Sequence, residues 1–330
     1  MNKIDGISII ICCFNSSKRL EQTLSHIAMQ TLPFEIRENC EIVLVDNCST
    51  DNTKDIANKL WGQLKCNIPL ILVEEYRPGL SYARAKGIKT AKYEYLIFCD
   101  DDNWLQNDYV DRAYSIMNTN KKIGVLGGKS YPIYEQDPPN WFVERGNYFA
   151  IGIQALTTGD VTNTKGYVWG AGSVYRKQVF EKINDIGYKP VLTGRKGNKM
   201  TTGEDVELCM VAKKIGYQIW YDENLICGHY MPASRFSEKK FYELCIANGF
   251  CYPLFSVYNN SLSFSYSGLL KRGLYLLRSI PKLYYFNLQE KKVSKIKIHY
   301  YEAVGELRGI IFFTRNYRTV NRTVSTFKSV

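Results

Sequence analysis

Residues 98–104 read FCDDDNW, three consecutive carboxylates at the end of an apolar run. Asp100, Asp101 and Asp102 repel one another, and burying even one of them unpaired is costly. A divalent cation removes the difficulty, because Mg2+ and Mn2+ take oxygen ligands and characteristically bind one or two carboxylates together with substrate phosphates. In an extended segment side chains two apart share a face, so Asp100 and Asp102 are expected to act together on the metal while Asp101 points elsewhere. The competing reading is a solvated acidic turn. Far along the chain, GEDVELC at 203–209 puts Glu204 and Asp205 at the start of a helical pattern. Negative charge there is stabilised by the helix dipole and free amides, which alone accounts for simple capping. Beside a metal-bound diphosphate, the same carboxylate suits a general base acting on an acceptor hydroxyl.

Such residues need a frame, and the chain supplies one. From residue 7, short apolar runs alternate with helical periodicity: ISIIICCF then SKRLEQTLSHIAMQ, EIVLV then TDNTKDIANKLWGQL, PLILVEE then LSYARAKGIKTA, EYLIFC then NDYVDRAYSIMN. Continuous Ile/Val/Leu runs suit strands buried on both faces, with the helices as right-handed crossovers. This predicts an open α/β fold with a mostly parallel central sheet. Ligands in such sheets bind beyond the carboxyl ends of the strands, which singles out Asn15, Asp46, Glu75 and Asp100 to Asp102. The turn after the first run is FNSSKR, with no GxGxxG, and no GxxxxGK[ST] occurs anywhere, which disfavours a dinucleotide-dependent dehydrogenase or a P-loop NTPase. Residues 129–170 read as irregular and aromatic (Pro132, Pro138, Pro139, Trp141, Trp169), more the wall of a pocket than a linker. Residues 204–216 read as a helix closed by Gly216, and YQIWY as the strand that follows.

The net charge of +11 is unevenly spread: residues 236–330 hold 15 Lys and Arg against 5 Asp and Glu. A basic patch confined to the last third suits anionic lipid headgroups or a phosphorylated acceptor better than nucleic acid. The ten cysteines show no CxxC spacing and several lie in apolar runs, as expected of free thiols in a reducing compartment. The N-terminal MNKIDGISIIICCFN reads as a first core strand rather than a signal peptide. No stretch reaches the ~20 apolar residues of a spanning helix, so membrane contact is expected to be peripheral. Near residue 236 the texture changes to amphipathic, basic, tyrosine-rich segments, and a boundary is placed there.

ISIIICCFNSSKRLEQTL, VDNCSTDNT, PGLSYARAKGI, FCDDDNWL, WGAGSVYRKQVF and GEDVELCMVAKKIG, in this order and spacing, resemble glycosyltransferase family 2, of the GT-A type, over about residues 5 to 235. The resemblance implies a Rossmann-like catalytic domain at 1–235, its nucleotide-binding half ending about residue 104 and its acceptor half at 105–235, followed by a basic helical region at 236–330. It implies that Asn15 and Asp46 line the nucleotide pocket and that Arg84 closes over the nucleotide, with Ala85 where the family usually has Asn. Asp100 and Asp102 resemble the DXD pair, Asp102 as the direct ligand of Mn2+ or Mg2+, and Asp101 belongs to the donor side. Asp205 resembles the catalytic base and Glu204 its neighbour that orients acceptor or donor sugar. His229 stands where related enzymes often place a histidine near the metal, and Arg235 suits neutralisation of the departing phosphates. Trp169, Gly170 and Ala171 resemble the acceptor-side loop.

The expected reaction is therefore inverting, metal-dependent transfer of a sugar from a nucleotide diphosphate donor, of the UDP type by family frequency, to a hydroxyl of a glycan or lipid-linked acceptor. Cell-surface polysaccharide synthesis at the cytoplasmic face of the plasma membrane fits that reading. A nucleotidyltransferase, or a catalytically silent sugar- or lipid-binding module, is the alternative. In the last third, Leu269, Leu270, Leu274, Leu277 and Ile280, with Lys271, Arg272 and Arg278 close by, form an amphipathic helix that lies either on an anionic bilayer or against the catalytic domain.

Overall fold

In the computed structural model, which describes residues 4–194, 202–259, 266–290, 292–318 and 320, the first apolar runs become four parallel strands. These are β1 (Ile7–Cys13), β2 (Cys40–Asp46), β3 (Leu70–Glu74) and β4 (Tyr95–Asp100). Between them lie α1 (Leu20–Ala28), the short α2 (Phe34–Glu38), α3 (Thr53–Leu64) and α4 (Leu80–Thr90). The run in β1 is uninterrupted because both its faces are covered. Ile7, Ile9 and Ile11 pack with Leu20 and Leu24 of α1 and Trp61 of α3, while Ile10 packs with Ala83 of α4. Parallel register sets Cys13 opposite Asp46 and Cys12 opposite Asp100, so β2, β1 and β4 end in line.

Beyond β4 the sheet becomes mixed. The chain continues through β5 (Asn103–Leu105), α5 (Tyr109–Thr119), β6 (Ile123–Tyr134), α6 (Asn140–Glu144), β7 (Gly159–Asp160), β8 (Val174–Arg176), α7 (Lys177–Asp185), α8 (Glu204–Lys214) and β9 (Gln218–Met231). Strand order is β3-β2-β1-β4-β8-β6-β9-β5, with β7 on β9. β8 runs antiparallel to both β4 and β6, and β5 antiparallel to β9.

Three local expectations change. The segment expected to be irregular from residue 129 continues β6 as far as Tyr134, and YQIWY is only the start of a 14-residue strand. The cause is mutual pairing: after a bulge at Gly127/Lys129, β6 and β9 stay hydrogen-bonded through Tyr134 opposite Met231. The acidic segment is likewise not extended throughout. It turns at Asp101 and Asp102, where the Asn103 side-chain oxygen accepts from the Asp100 amide at 3.1 Å.

Three long helices complete the described chain, α9 (Glu238–Asn259), α10 (Tyr266–Gln289) and α11 (Lys295–Arg315); residues 321–330 of the basic region lie outside the described residues. Cys251, Leu254 and Tyr258 of α9 join the same apolar cluster as Met210 and Val211 of α8. α9 and α11 meet backbone to backbone: a Cβ at Gly305 would stand 2.0 Å from the Ile246 carbonyl oxygen, and one at Gly249 2.1 Å from that of Glu302. All ten cysteines are free, and burial pushes the thiols of Cys40, Cys209 and Cys227 up to about 12, so they behave as apolar side chains.

Candidate active site

The candidate residues come from three strand ends and one helix start. At the first, Asn15 adopts a left-handed conformation (φ 51°) just past β1, and its side-chain oxygen accepts from the Thr50 amide at 2.8 Å. Asp46, ending β2, accepts from the Ser49 amide at 3.2 Å, so both residues hold the loop that joins β2 to α3. Buried Asn47 does the same for the next loop, donating to the carbonyls of Glu75 and Arg77 and accepting from the Gly79 amide. Glu75 pairs with Arg77, whose hydrogen bonds hold its carboxyl down at about 2.

At the end of β4 the three aspartates part company. Asp101 turns to Arg19, at the entrance of α1, at 2.5 and 3.1 Å. Burial, reinforced by the charge on Asp102, pushes its carboxyl above the usual carboxylate range. Asp101 thus anchors the turn, and its carboxylate is committed to a protein cation rather than aimed with its neighbours. Asp102 is 7% exposed, and its Oδ2 accepts from Arg235 Nη2 at 2.6 Å. Its Oδ1 lies 3.6 Å from His229 Nε2. That meeting is set by backbone pairing: Asn103 of β5 sits opposite His229 of β9, and the Tyr230 amide donates to the Asp102 carbonyl at 2.9 Å. Arg235 Nη1 also lies 3.2 Å from His229 Nε2, while His229 Nδ1 is buried with no hydrogen-bond partner among the described residues.

The helix start comes from the other direction. Gly203, with φ 88°, turns the chain into α8, and Asp205 Oδ2 accepts from the Gly170 amide at 2.8 Å, while Oδ1 accepts from the Val206 amide at 2.9 Å. Glu204 lies 3.6 Å from Arg84 Nη1. Arg84, 8% exposed on α4 with its guanidinium over the Phe98 ring, joins the two acidic segments. Burial alone would lower its pKa, yet the carboxylates of Glu204, Asp100 and Asp205 outweigh that and hold it above the ordinary arginine value. A Cβ on Gly170 would lie 3.4 Å from both Arg84 Nη2 and Asp205 Oδ2, ordinary van der Waals contact, so the loop backbone passes directly beside both groups.

The loop at 165–171 adjoins Asp205 through Gly170. Trp169 donates its amide to Gln154 Oε1 at 2.7 Å, and half-buried Ala171 continues the turn. Lys165 donates to the same Gln154 oxygen, with its ammonium 4.5 Å from the Trp169 ring centre and 4.7 Å from that of Tyr167. Burial pulls its pKa down to about 8. Sequence reasoning passed over Lys165, Asn47 and Glu207. Only Lys165 carried a signal, as a lone base two residues before Tyr167 and four before Trp169. Glu207 is fully buried on α8 and accepts from Tyr188, Tyr258 and the amides of Val191 and Leu192, so one carboxylate holds α8, α9 and the 188–192 segment together.

Carboxylates gathered about a buried arginine at the carboxyl ends of parallel strands stand where α/β enzymes of this architecture bind their ligands, and comparison with known proteins gives the family. Residues 8–184 match the model of glycosyl transferase family 2, and the chain belongs to that family. It is 27% identical over 187 residues to glycosyltransferase GlyG of Streptococcus pneumoniae, 54% of this chain and 59% of that protein. It is 30% identical over 159 residues to the poly(ribitol-phosphate) beta-glucosyltransferase of Bacillus spizizenii, 46% of this chain but 24% of the relative. The chain thus spans less than two thirds of these relatives' length. In fold it is similar to Staphylococcus aureus TarS in complex with UDP, with a TM-score of 0.53 and 19% identity, covering 95% of this chain and 91% of the other.

Proposed function

We propose that the chain catalyses inverting, metal-dependent transfer of a sugar from a nucleotide diphosphate, of the UDP type, to a hydroxyl of a surface glycan or lipid-linked acceptor. The observation that carries this reading is the gathering of Asp100, Glu204 and Asp205 about buried Arg84, with Asp102 two residues on from Asp100 in the chain. The names of the relatives above, a poly(ribitol-phosphate) glucosyltransferase among them, support a cell-surface polymer as acceptor. The basic last third supports work at the cytoplasmic face of an anionic membrane.

The donor set fits a divalent cation. Asp102 would supply carboxylate oxygen and His229 its Nε2, a nitrogen that suits Mn2+ better than Mg2+, in place of the contacts both now make to the Arg235 guanidinium. Among the described residues no group of three or more His, Cys, Asp or Glu forms a complete cage, so such an ion would draw its remaining ligands from donor phosphates and water. When bound, it supplies Lewis-acid stabilisation of the diphosphate. The remaining work falls to side chains. Asp205 takes the acceptor proton as the hydroxyl oxygen bonds to C1; the C1–O bond to the diphosphate breaks on the opposite face, and the diphosphate leaves with the electron pair. Gly170 and the Val206 amide hold the Asp205 carboxylate in place for this. Arg84 and Arg235 are the fixed cations for the nucleotide and the departing charge. Asn15 and Asp46 border the nucleotide end, and Trp169, Gly170 and Ala171 the acceptor end.

The test is a screen of nucleotide sugars for Mn2+-dependent protection against heat and slow release of nucleoside diphosphate. One donor should give both effects, at about 2.7 kcal/mol of protection for a ligand at ~100 times its dissociation constant. Asp102→Asn should lose the Mn2+ dependence of each. Protection without any donor hydrolysis, with every sugar and metal, would instead favour a silent binding module.

A further inference from the structure

α10 has two apolar faces, and only one is covered. Leu276, with Leu269, Ile280 and Leu283 beside it, packs against Ala303, Leu307 and Ile310 of α11. On the outer face Leu270, Leu274, Leu277, Tyr284, Tyr285 and Leu288 stand 46%, 57%, 57%, 48%, 61% and 64% exposed. At 3.6 residues per turn these six fall within an arc of about 100°, and from 270 to 288 they extend roughly 27 Å along the axis. Exposed Lys271, Arg278 and Lys282 follow one edge of that arc, and Arg272 pairs with Glu306 of α11. Among the described residues no helix is long and apolar enough to cross a membrane.

We propose that this outer stripe of α10 lies in the plane of an anionic bilayer, leucines in the acyl boundary and tyrosines at headgroup level. Charge decides the occupant. Between Tyr266 and Gln289 the helix carries four bases and no carboxylate, so a second copy stacked on the stripe brings no acid from α10 for Lys271, Arg278 and Lys282, whereas anionic headgroups meet all three. The apolar stripe read from the sequence is thus divided between two faces of one helix: Leu269 and Ile280 turn inward, with α11 rather than the catalytic domain as the main partner, and Leu270, Leu274 and Leu277 outward.

The test uses the full chain and needs neither donor nor acceptor, so its failure is separable from failure of the transfer chemistry. Flotation with phosphatidylcholine vesicles is compared with and without phosphatidylglycerol. Binding should require the anionic lipid and weaken as salt rises. Replacing Lys271, Arg278 and Lys282 together by Gln should lower the partition on the order of 100-fold, and Leu274→Glu with Leu277→Glu should abolish flotation. These side chains are exposed, so melting temperature and donor protection should stay at the parent values; if the leucine variant fails to fold, the Gln variant decides. Equal binding to both vesicles, or an unchanged partition of the Gln variant, overturns the proposal. A concentration-dependent dimer dispersed by the leucine variant overturns it too and assigns the stripe to self-association.

Discussion

Asp205→Asn separates the proposed base from every other role its position could have. The carboxylate accepts two backbone amides, Gly170 to Oδ2 at 2.8 Å and Val206 to Oδ1 at 2.9 Å. An asparagine keeps one acceptor and turns an NH2 toward the other amide, so one partly buried N–H loses its partner, a loss of about 1–2 kcal/mol of stability. That is a fall of several degrees in melting temperature at most, and assays at 25 °C compare folded proteins. The chemical step should suffer far more. Loss of a positioned general base slows turnover by ~10²–10⁴, equivalent to about 2.7–5.5 kcal/mol of transition-state stabilisation. Donor affinity should change little, because Arg84 keeps Glu204 and Asp100 as counter-charges. The assay is single-turnover transfer under saturating donor, beside calorimetric donor binding. Turnover within threefold of the parent, with donor binding intact, refutes the assignment of Asp205.

Gly305→Ala sets two effects against each other. Alanine favours an isolated helix by about 1 kcal/mol, but here its Cβ would meet the Ile246 carbonyl oxygen at 2.0 Å, and forcing α9 and α11 apart costs about 1–3 kcal/mol or more; a lower melting temperature is expected, and a higher one would mean the helices do not touch backbone to backbone. Lys165, pulled down to about 8 from 10.5, should titrate near pH 8 when its 13C-methylated amine is followed by NMR. Since the unfolded chain holds that proton up to about 10.5, its contribution to stability is complete above pH 10.5 and is lost as pH falls through 8; Lys165→Met should erase this slope in urea melts, and an unchanged slope counts against the buried amine.

The parallel half of the sheet was legible residue by residue because its signals are local: an Ile/Val/Leu run needs only its own neighbours to read as a strand covered on both sides. The acidic cluster that ends β4 and the helix opened by Glu204 and Asp205 were legible for the same reason, since like charges set together at element ends announce themselves without a partner, although the turn within the cluster was not. Arg84, read through the family resemblance, acquired its role as the link between them only in three dimensions. Folding alone decided what these groups meet. The pairing of β5 with β9 brings His229 to Asp102, and the turn at residues 101–102 sends Asp101 to Arg19. Glu207 looked like any carboxylate of a helical first turn, yet it receives hydroxyls and amides from Tyr188, Val191, Leu192 and Tyr258. Periodicity records which face of an element is apolar, but it carries no register between strands far apart in the chain and does not say which of two apolar faces of α10 is covered. Those are settled by backbone pairing and close packing across the whole molecule.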